Sequence, residues 1–238
     1  MKFDLEDCIS EARQIGSRGR VVIEAFGTPG VGKSHFCDSF KTKLVENDVL
    51  LTYHSMNHYS LNRFFRVISK LSLIFYCCWY RLDLFSLAYR SVFSFSGLSF
   101  FIRIKLIFNF LLVFSVIRLR SKKGNPVLLD QGIFQAFWSC CYYQLDSTGP
   151  QKLNFLQELI NQLFESLDLE LLVIIYVSGT KELVFNGLVT RTIKGTSTLN
   201  SLEMDVIERG ICATSLIFNV ILDVLNSNPK VKLIEVPR

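Results

Sequence analysis

Residues 27–34 have the types and the spacing of a loop that holds phosphate groups. They form the stretch Gly-Thr-Pro-Gly-Val-Gly-Lys-Ser, which fits the order G-x-x-x-x-G-K-[ST]. The three glycines let the backbone turn with positive φ and bring successive N–H groups close to an anion. Lys33 would then reach the β- and γ-phosphates of a nucleotide, and the Ser34 hydroxyl would bind Mg2+. The pattern therefore predicts a site for ATP and Mg2+.

The segments on either side of this loop are those that such a loop requires. Val21–Ala25 is an apolar run that predicts a buried strand, and residues 35–46 carry apolar side chains at helical spacing. A helix that begins at the loop directs its first N–H groups and its positive dipole end at a bound phosphate. His35 is expected to begin this helix rather than to act as a base. The predicted nucleotide-binding residues are Gly27, Thr28, Pro29, Gly30, Val31, Gly32, Lys33, Ser34 and His35.

Asp130 is the second candidate for chemistry. It follows the apolar run Val127–Leu129, which predicts a strand with this carboxylate at its carboxyl end. Phosphoryl transfer needs a carboxylate there, to bind Mg2+ or to activate the attacking hydroxyl. The alternative is that Asp130 caps the helix that begins near Gly132, and the two roles are compatible. We therefore predict that Asp130 is catalytic and that it binds the metal together with Ser34.

A third candidate is Arg191, in the polar, glycine-interrupted segment 179–200. A lid-like segment that brings an arginine over the transferring phosphoryl group would stabilise its charge and exclude water. Arg191 is predicted to have this catalytic role, alongside Lys33 and Asp130. The alternative is an ordinary solvated cation in a loop.

Five short apolar segments alternate with helical patterns along the chain. Such alternation predicts a single α/β domain over residues 1–238, with a mostly parallel sheet covered by helices on both faces. Ligands of these sheets bind at the carboxyl ends of the strands, where the glycine loop lies. The predicted strands are Val21–Ala25, Val49–Tyr53, Val127–Leu129, Leu171–Val177 and Val231–Val236. The predicted helices run from Leu61 to about Leu119, Gly132 to Leu145, Asn154 to Leu167 and Ser201 to Leu225.

Residues 57–125, between the second and third strands, form a long helical insert that is basic and aromatic. The insert carries a single acid, Asp83, against many lysines and arginines. Amphipathic helices packed within the protein are the first interpretation, and a basic helical face on an anionic membrane surface is the alternative. Its longest apolar stretch, Leu98–Ile117, is interrupted by Arg103 and Lys105, which argues against a membrane span. Nucleic-acid binding is least favoured, since no recognised module accompanies the charge.

Composition sets the broad class of the protein. A chain of 238 residues that is 50% hydrophobic can bury a substantial core. Its seven cysteines show no C-x-x-C spacing and are expected to be reduced and buried, as in a cytoplasmic protein. The first ten residues show no signal-peptide pattern. We expect a cytoplasmic protein, peripheral at the inner membrane if the insert docks there, with a homodimer as the oligomer to consider.

Taken in order, these three pieces resemble one family. The glycine loop after the first strand, Leu-Leu-Asp-Gln-Gly at the end of the third and an arginine-containing lid after the fourth resemble the thymidylate kinase and deoxynucleoside kinase group of P-loop kinases. The resemblance implies a three-layer P-loop NTPase fold with a five-stranded sheet. It also implies phosphoryl transfer from ATP to a nucleoside, a nucleotide or another small hydroxyl compound.

The chain departs from that group at the acceptor side. The third strand of those kinases typically ends in an acid followed by arginine, and Gln131 stands in the arginine's place here. The Leu-Leu-Asp-Gln-Gly-x-x-Gln stretch is similar to that of kinase-like proteins of bacterial surface-polysaccharide biosynthesis. The alternative function is an ATP-binding accessory or regulatory NTPase whose basic insert docks on a membrane or a protein partner.

Overall fold

The computed structural model describes residues 19–46, 52–54, 81–121, 126–144, 154–193 and 204–237, with a few separate helical positions between 71 and 79. Its strands are β1 (Arg20–Phe26), β2 (Thr52–His54), β3 (Val127–Leu129), β4 (Leu169–Ser178) and β5 (Val231–Pro237). Its helices are α1 (Lys33–Glu46), α2 (Leu82–Phe93), α3 (Phe100–Arg120), α4 (Ile133–Gln144), α5 (Asn154–Leu167), α6 (Lys181–Ile193) and α7 (Met204–Ser227).

The strands form one sheet in the order β2-β3-β1-β4-β5, and every neighbouring pair is parallel. Parallel neighbours need crossover connections, and the helices supply them. The predicted α/β class with a parallel sheet is thus confirmed. Because β1 lies between β3 and β4, the residues that follow β1 and β3 leave the sheet side by side at its carboxyl edge.

Helices cover both faces of this sheet. Alternate residues of β1 contribute to two separate apolar clusters, since successive side chains of a strand point to opposite faces. Val21, Ile23 and Ala25 belong to the cluster that contains Phe40 of α1. Val22 and Phe26 belong to the larger cluster built from α2, α3, α4, α5 and α7. The α1 face and the insert face of the sheet are therefore distinct.

The amphipathic pattern of α5 shows how sequence sets these positions. Leu156, Leu159, Ile160 and Leu163 recur at three- and four-residue steps, and all four are buried against the insert face. The helix begins at Asn154 and ends at Leu167, as predicted. Asp168 then takes a positive φ of 55° to turn the chain into β4.

Two regions differ from the predicted elements. The sequence pattern predicts no helix within segment 179–200, and Lys181–Ile193 forms α6. Gly187 lies inside this helix although glycine costs about 1 kcal/mol relative to alanine there. In the insert, the continuously described part, residues 81–121, contains two helices, α2 and α3, joined by a turn in which Gly97 has a φ of +73°. The first three residues of the predicted second strand, Val49–Leu51, and residues 194–200 of the predicted lid lie outside the described residues.

Candidate nucleotide-binding site

The loop between β1 and α1 requires glycine for two independent reasons. Gly27, Gly30 and Gly32 have φ angles of +152°, +95° and +93°. These are conformations that other residues rarely adopt. The neighbouring backbone also leaves no room for a side chain, since a Cβ at position 30 would lie 2.6 Å from the Val184 carbonyl oxygen. The glycines were predicted from spacing alone, and the described geometry gives each of them a positive φ.

Lys33 holds this loop closed from within. Its side chain is 7% exposed, and its Nζ donates hydrogen bonds to the carbonyl oxygens of Gly27 at 2.7 Å and of Thr28 at 3.1 Å. A buried ammonium is costly unless partners surround it. The two carbonyls fix its position at the inner side of the loop, so a positive charge is built in where an anion would lie.

Asp130 lies at the same carboxyl edge of the sheet as this loop. It follows β3 directly, is 1% exposed, and shares with Leu128 the strand parity that faces α1. The pKa of Cys37, one turn into α1, responds to the charges of both Asp130 and Lys33. Burial raises the pKa of the Cys37 thiol to about 12, the negative charges of Asp130 and Asp38 add to this, and Lys33 opposes it. Lys33 and Asp130 therefore act on the same thiol, and the fold brings these two predicted residues together.

The remaining predicted residues of the loop region lie around this pair. Ser34, the second residue of α1, is partly exposed, and His35 after it is exposed, in agreement with a helix-start position. Val31 donates its backbone N–H to the Thr28 carbonyl at 3.2 Å, which closes a tight turn over Pro29. Ser34 and Asp130, the predicted metal ligands, approach the loop from α1 and β3 respectively.

A third buried charged residue, Glu24 of β1, was not predicted. It is fully buried on the insert face, where its Oε1 accepts a hydrogen bond from the backbone N–H of Gln135 at 3.0 Å. Burial raises the pKa of Glu24 to about 7, although the N–H groups at the start of α4 oppose the shift. A Cβ at Gly132 would lie 2.5 Å from the Glu24 carboxyl carbon, so this glycine makes room for the carboxyl group.

Glu24 takes up the capping of α4 that the sequence offered as an alternative role for Asp130. Its Oε2 and the Gln135 Oε1 are both buried and make no hydrogen bond within the described parts of the chain. The signal in the sequence was a lone acid within the apolar run Val-Val-Ile-Glu-Ala-Phe of β1. An acid in the middle of a buried strand indicates a specific partner.

Beside the loop lies a small cavity that is partly open to solvent. Thr28 and Pro29 form its floor, Trp138 and Tyr142 of α4 form one wall, and residues of α6 and α7 form the other. The Thr28 hydroxyl donates to the Thr214 hydroxyl at 3.1 Å, and the Trp138 indole N–H donates to the same oxygen at 2.9 Å. These bonds tie the loop to α4 and α7 and fix the cavity wall.

Helix α6 rests directly on the loop. A Cβ at Gly187 would overlap the Gly30 carbonyl oxygen, so backbone meets backbone with no side chain between them. Arg191 follows Gly187 by one helical turn. The structure describes its backbone within α6 and not its side chain, so the predicted lid residue lies on a helix rather than on the polar loop that the sequence indicated.

The Ser34 hydroxyl and the Asp130 carboxylate are suitable ligands for an Mg2+ ion that would be bound mainly through phosphate oxygens. Among the residues that the structure describes, no three or more His, Cys, Asp or Glu side chains form a group that could hold a metal alone. Mg2+ in nucleotide sites keeps several waters and uses only one or two carboxylates with the substrate phosphates. One hydroxyl at Ser34 and one carboxylate at Asp130 would be sufficient.

Comparison with protein-family models finds no family that matches this chain, and comparison with curated proteins finds no relative. The functional argument therefore depends on the fold and on the geometry of the loop.

Proposed function

We propose that this chain is an ATP-binding, kinase-like protein with the three-layer P-loop NTPase fold and a five-stranded sheet. The observation that carries the proposal is the loop at residues 27–34. It combines three glycines of positive φ with a buried Lys33 ammonium at the carboxyl edge of a parallel sheet. That edge is where parallel α/β sheets bind their ligands. An anion fits this loop, since its shape needs glycines and its inner side holds a fixed cation.

The proposed reaction is transfer of a phosphoryl group to a small hydroxyl compound. Lys33 and the loop N–H groups would hold the phosphates of ATP, and Mg2+ would neutralise their charge when bound through Ser34 and Asp130. Asp130 would also orient the acceptor hydroxyl and accept its proton. Its burial at the sheet edge that also carries Lys33 supports both roles, because fixed charges act more strongly on a ligand in a buried site than in water.

The proposed acceptor site is the small cavity beside Thr28, which is lined by Trp138 and Tyr142 of α4. The stacked rings of Trp138 and Tyr142, with centroids 5.1 Å apart, offer a flat apolar wall. Arg191, one turn beyond the contact of α6 with the loop, is the proposed cation over the transferring group.

Purified protein tests the proposal in two stages. Isothermal titration with Mg-ATP measures binding, and ADP release is then followed with a panel of nucleosides, nucleoside monophosphates and sugars. We expect ATP to bind and one acceptor class to raise ADP release well above the ATPase background. ATP binding with no acceptor-dependent release would overturn the transferase and favour an accessory NTPase. Absence of binding to any nucleotide would overturn the assignment of the loop.

A further inference from the structure

The insert presents an unusual number of apolar side chains to solvent. Of the large apolar side chains that are exposed in the described residues, all but Leu183 and Phe185 lie between residues 71 and 108. We call this set the aromatic face. Its members are Leu71, Phe75, Trp79, Leu82, Phe85, Tyr89, Phe93, Phe100, Phe101, Ile104 and Phe108. So many exposed large apolar side chains within one region of the chain indicate an interaction site.

The part of the aromatic face on α2 and α3 is anchored, because the opposite sides of these two helices are packed in the core. Leu84, Leu87 and Ala88 of α2 are buried, as are Leu106 and Phe110 of α3. The exposed rings are also ordered against one another on the outside. Tyr89 stacks on Phe93 with ring centroids 4.0 Å apart, and Phe75 stacks on Trp79 at 5.7 Å. The rings are therefore held outward by the fold.

Positive charge accompanies these rings. The Arg103 guanidinium lies over the Phe93 ring, 4.5 Å from its centroid, and Lys105 is exposed one turn away from Phe101. The only acid in residues 81–121 is Asp83, and Arg81 donates two hydrogen bonds to it at 2.8 and 2.6 Å. A surface of rings and cations without an uncompensated acid is complementary to an anionic, partly apolar partner.

We infer that the aromatic face docks this protein on the surface of an anionic lipid bilayer. Phenylalanine, tyrosine and tryptophan side chains insert at the boundary between headgroups and acyl chains, and neighbouring cations meet the lipid phosphates. A second copy of the chain is a poorer occupant, because a two-fold contact would place this cationic, acid-poor surface against an identical one.

In this docked arrangement, helix α3 lies on the bilayer surface and does not cross the bilayer. Helices Phe100–Arg120 and Ile207–Ser227 are both long and apolar enough to span a membrane. However, half of the first is buried inside the protein, and its residues from Phe110 to Ile117 are all in the core. Only the first turns of α3 are free to meet lipid. Arg118 and Arg120, which lie about 20 Å further along the helix axis, are outside the docking surface.

Vesicle sedimentation with the full chain tests this inference. The vesicles are phosphatidylcholine alone or an equal mixture of phosphatidylcholine and phosphatidylglycerol, and neither contains nucleotide. We expect binding to the anionic vesicles only, and its loss at high salt. Replacing Arg103 and Lys105 by glutamine should weaken partitioning about fivefold for each cation, or about thirtyfold together. Replacing Phe100 and Phe101 by serine should abolish it.

A matched control removes two charges elsewhere. Lys41 and Lys43 are exposed on α1, on the opposite face of the sheet, and their replacement by glutamine should leave partitioning unchanged. Circular dichroism checks that each variant is folded, and Lys105→Gln alone serves if the Arg103 variant is not. Equal binding to both vesicle types would overturn the inference. A solution dimer that the Phe100 and Phe101 change converts to a monomer would assign the face to a second copy instead.

Discussion

The carboxyl edge of the sheet and the aromatic face both depart from the usual distribution of residues. The first buries ionisable side chains, and the second exposes apolar ones. At the sheet edge, Glu24, Lys33 and Asp130 carry ionisable groups and are buried. On the insert, Trp79 and Phe101 are 70% and 82% exposed. Each arrangement costs folding free energy. At the sheet edge, charged groups lose their hydration, and on the insert, apolar rings stay in contact with water. Such costs are retained where a surface meets something outside the chain, and we propose a phosphate ligand at the sheet edge and lipid at the aromatic face.

The sharpest test of the buried charges is Asp130→Asn. Asparagine keeps the shape and one acceptor but removes the charge, so the proton of the acceptor hydroxyl has no base. We expect turnover to fall by about 10²–10⁴-fold while ATP affinity, measured by titration calorimetry, changes little. Equal losses of binding and turnover would instead assign Asp130 to holding the loop.

The exposed rings are tested by two phenylalanines on one helix. Phe110→Ala removes a fully buried ring from α3, and Phe101→Ala removes an exposed one. We expect the first to lower the free energy of unfolding in urea by about 3–5 kcal/mol, and the second to change it by less than about 0.5 kcal/mol. A large loss at position 101 would show that the ring is packed, and would contradict the contrast between the two regions.

Glu24 tests whether a buried acid can affect stability without a role in catalysis. Its pKa is raised to about 7 in the folded chain from an ordinary value of 4.5. Folding therefore favours the protonated form, and the stability associated with it is complete below about pH 4.5 and is lost as the pH rises through 7. The loss amounts to about 3 kcal/mol at 1.36 kcal/mol for each pKa unit.

Urea unfolding of wild type and Glu24→Gln at several pH values measures this. Glutamine can still accept the hydrogen bond from Gln135 but does not ionise. We expect the stability of the variant relative to wild type to increase between pH 4.5 and 8. A difference that does not vary with pH would mean that Glu24 stays charged when buried.

Lys33→Ala gives the smallest of these effects. It removes the proposed charge-assisted contact to phosphate and also the two hydrogen bonds that Lys33 donates to the Gly27 and Thr28 carbonyls, while the loop glycines are unchanged. ATP affinity should fall by about 10- to 150-fold, as for the loss of a hydrogen bond that involves a charged group. Lys41→Ala, on the exposed side of the same helix, is the control and should bind ATP as wild type does. If both variants bind equally, the loop is not the nucleotide site.

Much of the framework could be predicted from the sequence because local patterns determined it. The strand Val127–Leu129 and the helix Asn154–Leu167 have the predicted bounds, since apolar periodicity alone defines them. Asp130 was predicted at the end of a strand, and its closeness to Lys33 follows from the parallel pairing of β1 with β3.

What could not be predicted depends on contacts distant in sequence. From the sequence, Gly187 indicated a break in regular structure. In the structure it lies within α6, and it is glycine because a side chain there would collide with the backbone of Gly30. Glu24 lies inside a strand, and only the fold shows that the start of α4 receives its carboxyl group. Likewise, composition showed that the insert is aromatic and basic but not which rings are packed and which are exposed.

The contact of Gly187 with the Gly30 carbonyl has a mechanical consequence. Because two backbones touch there, neither can yield as a side chain would by changing its rotamer. A ligand that reshapes the peptide at Gly30 would therefore displace the backbone of α6. Filling of the loop would thus be transmitted as displacement of a helix rather than through a relay of side chains.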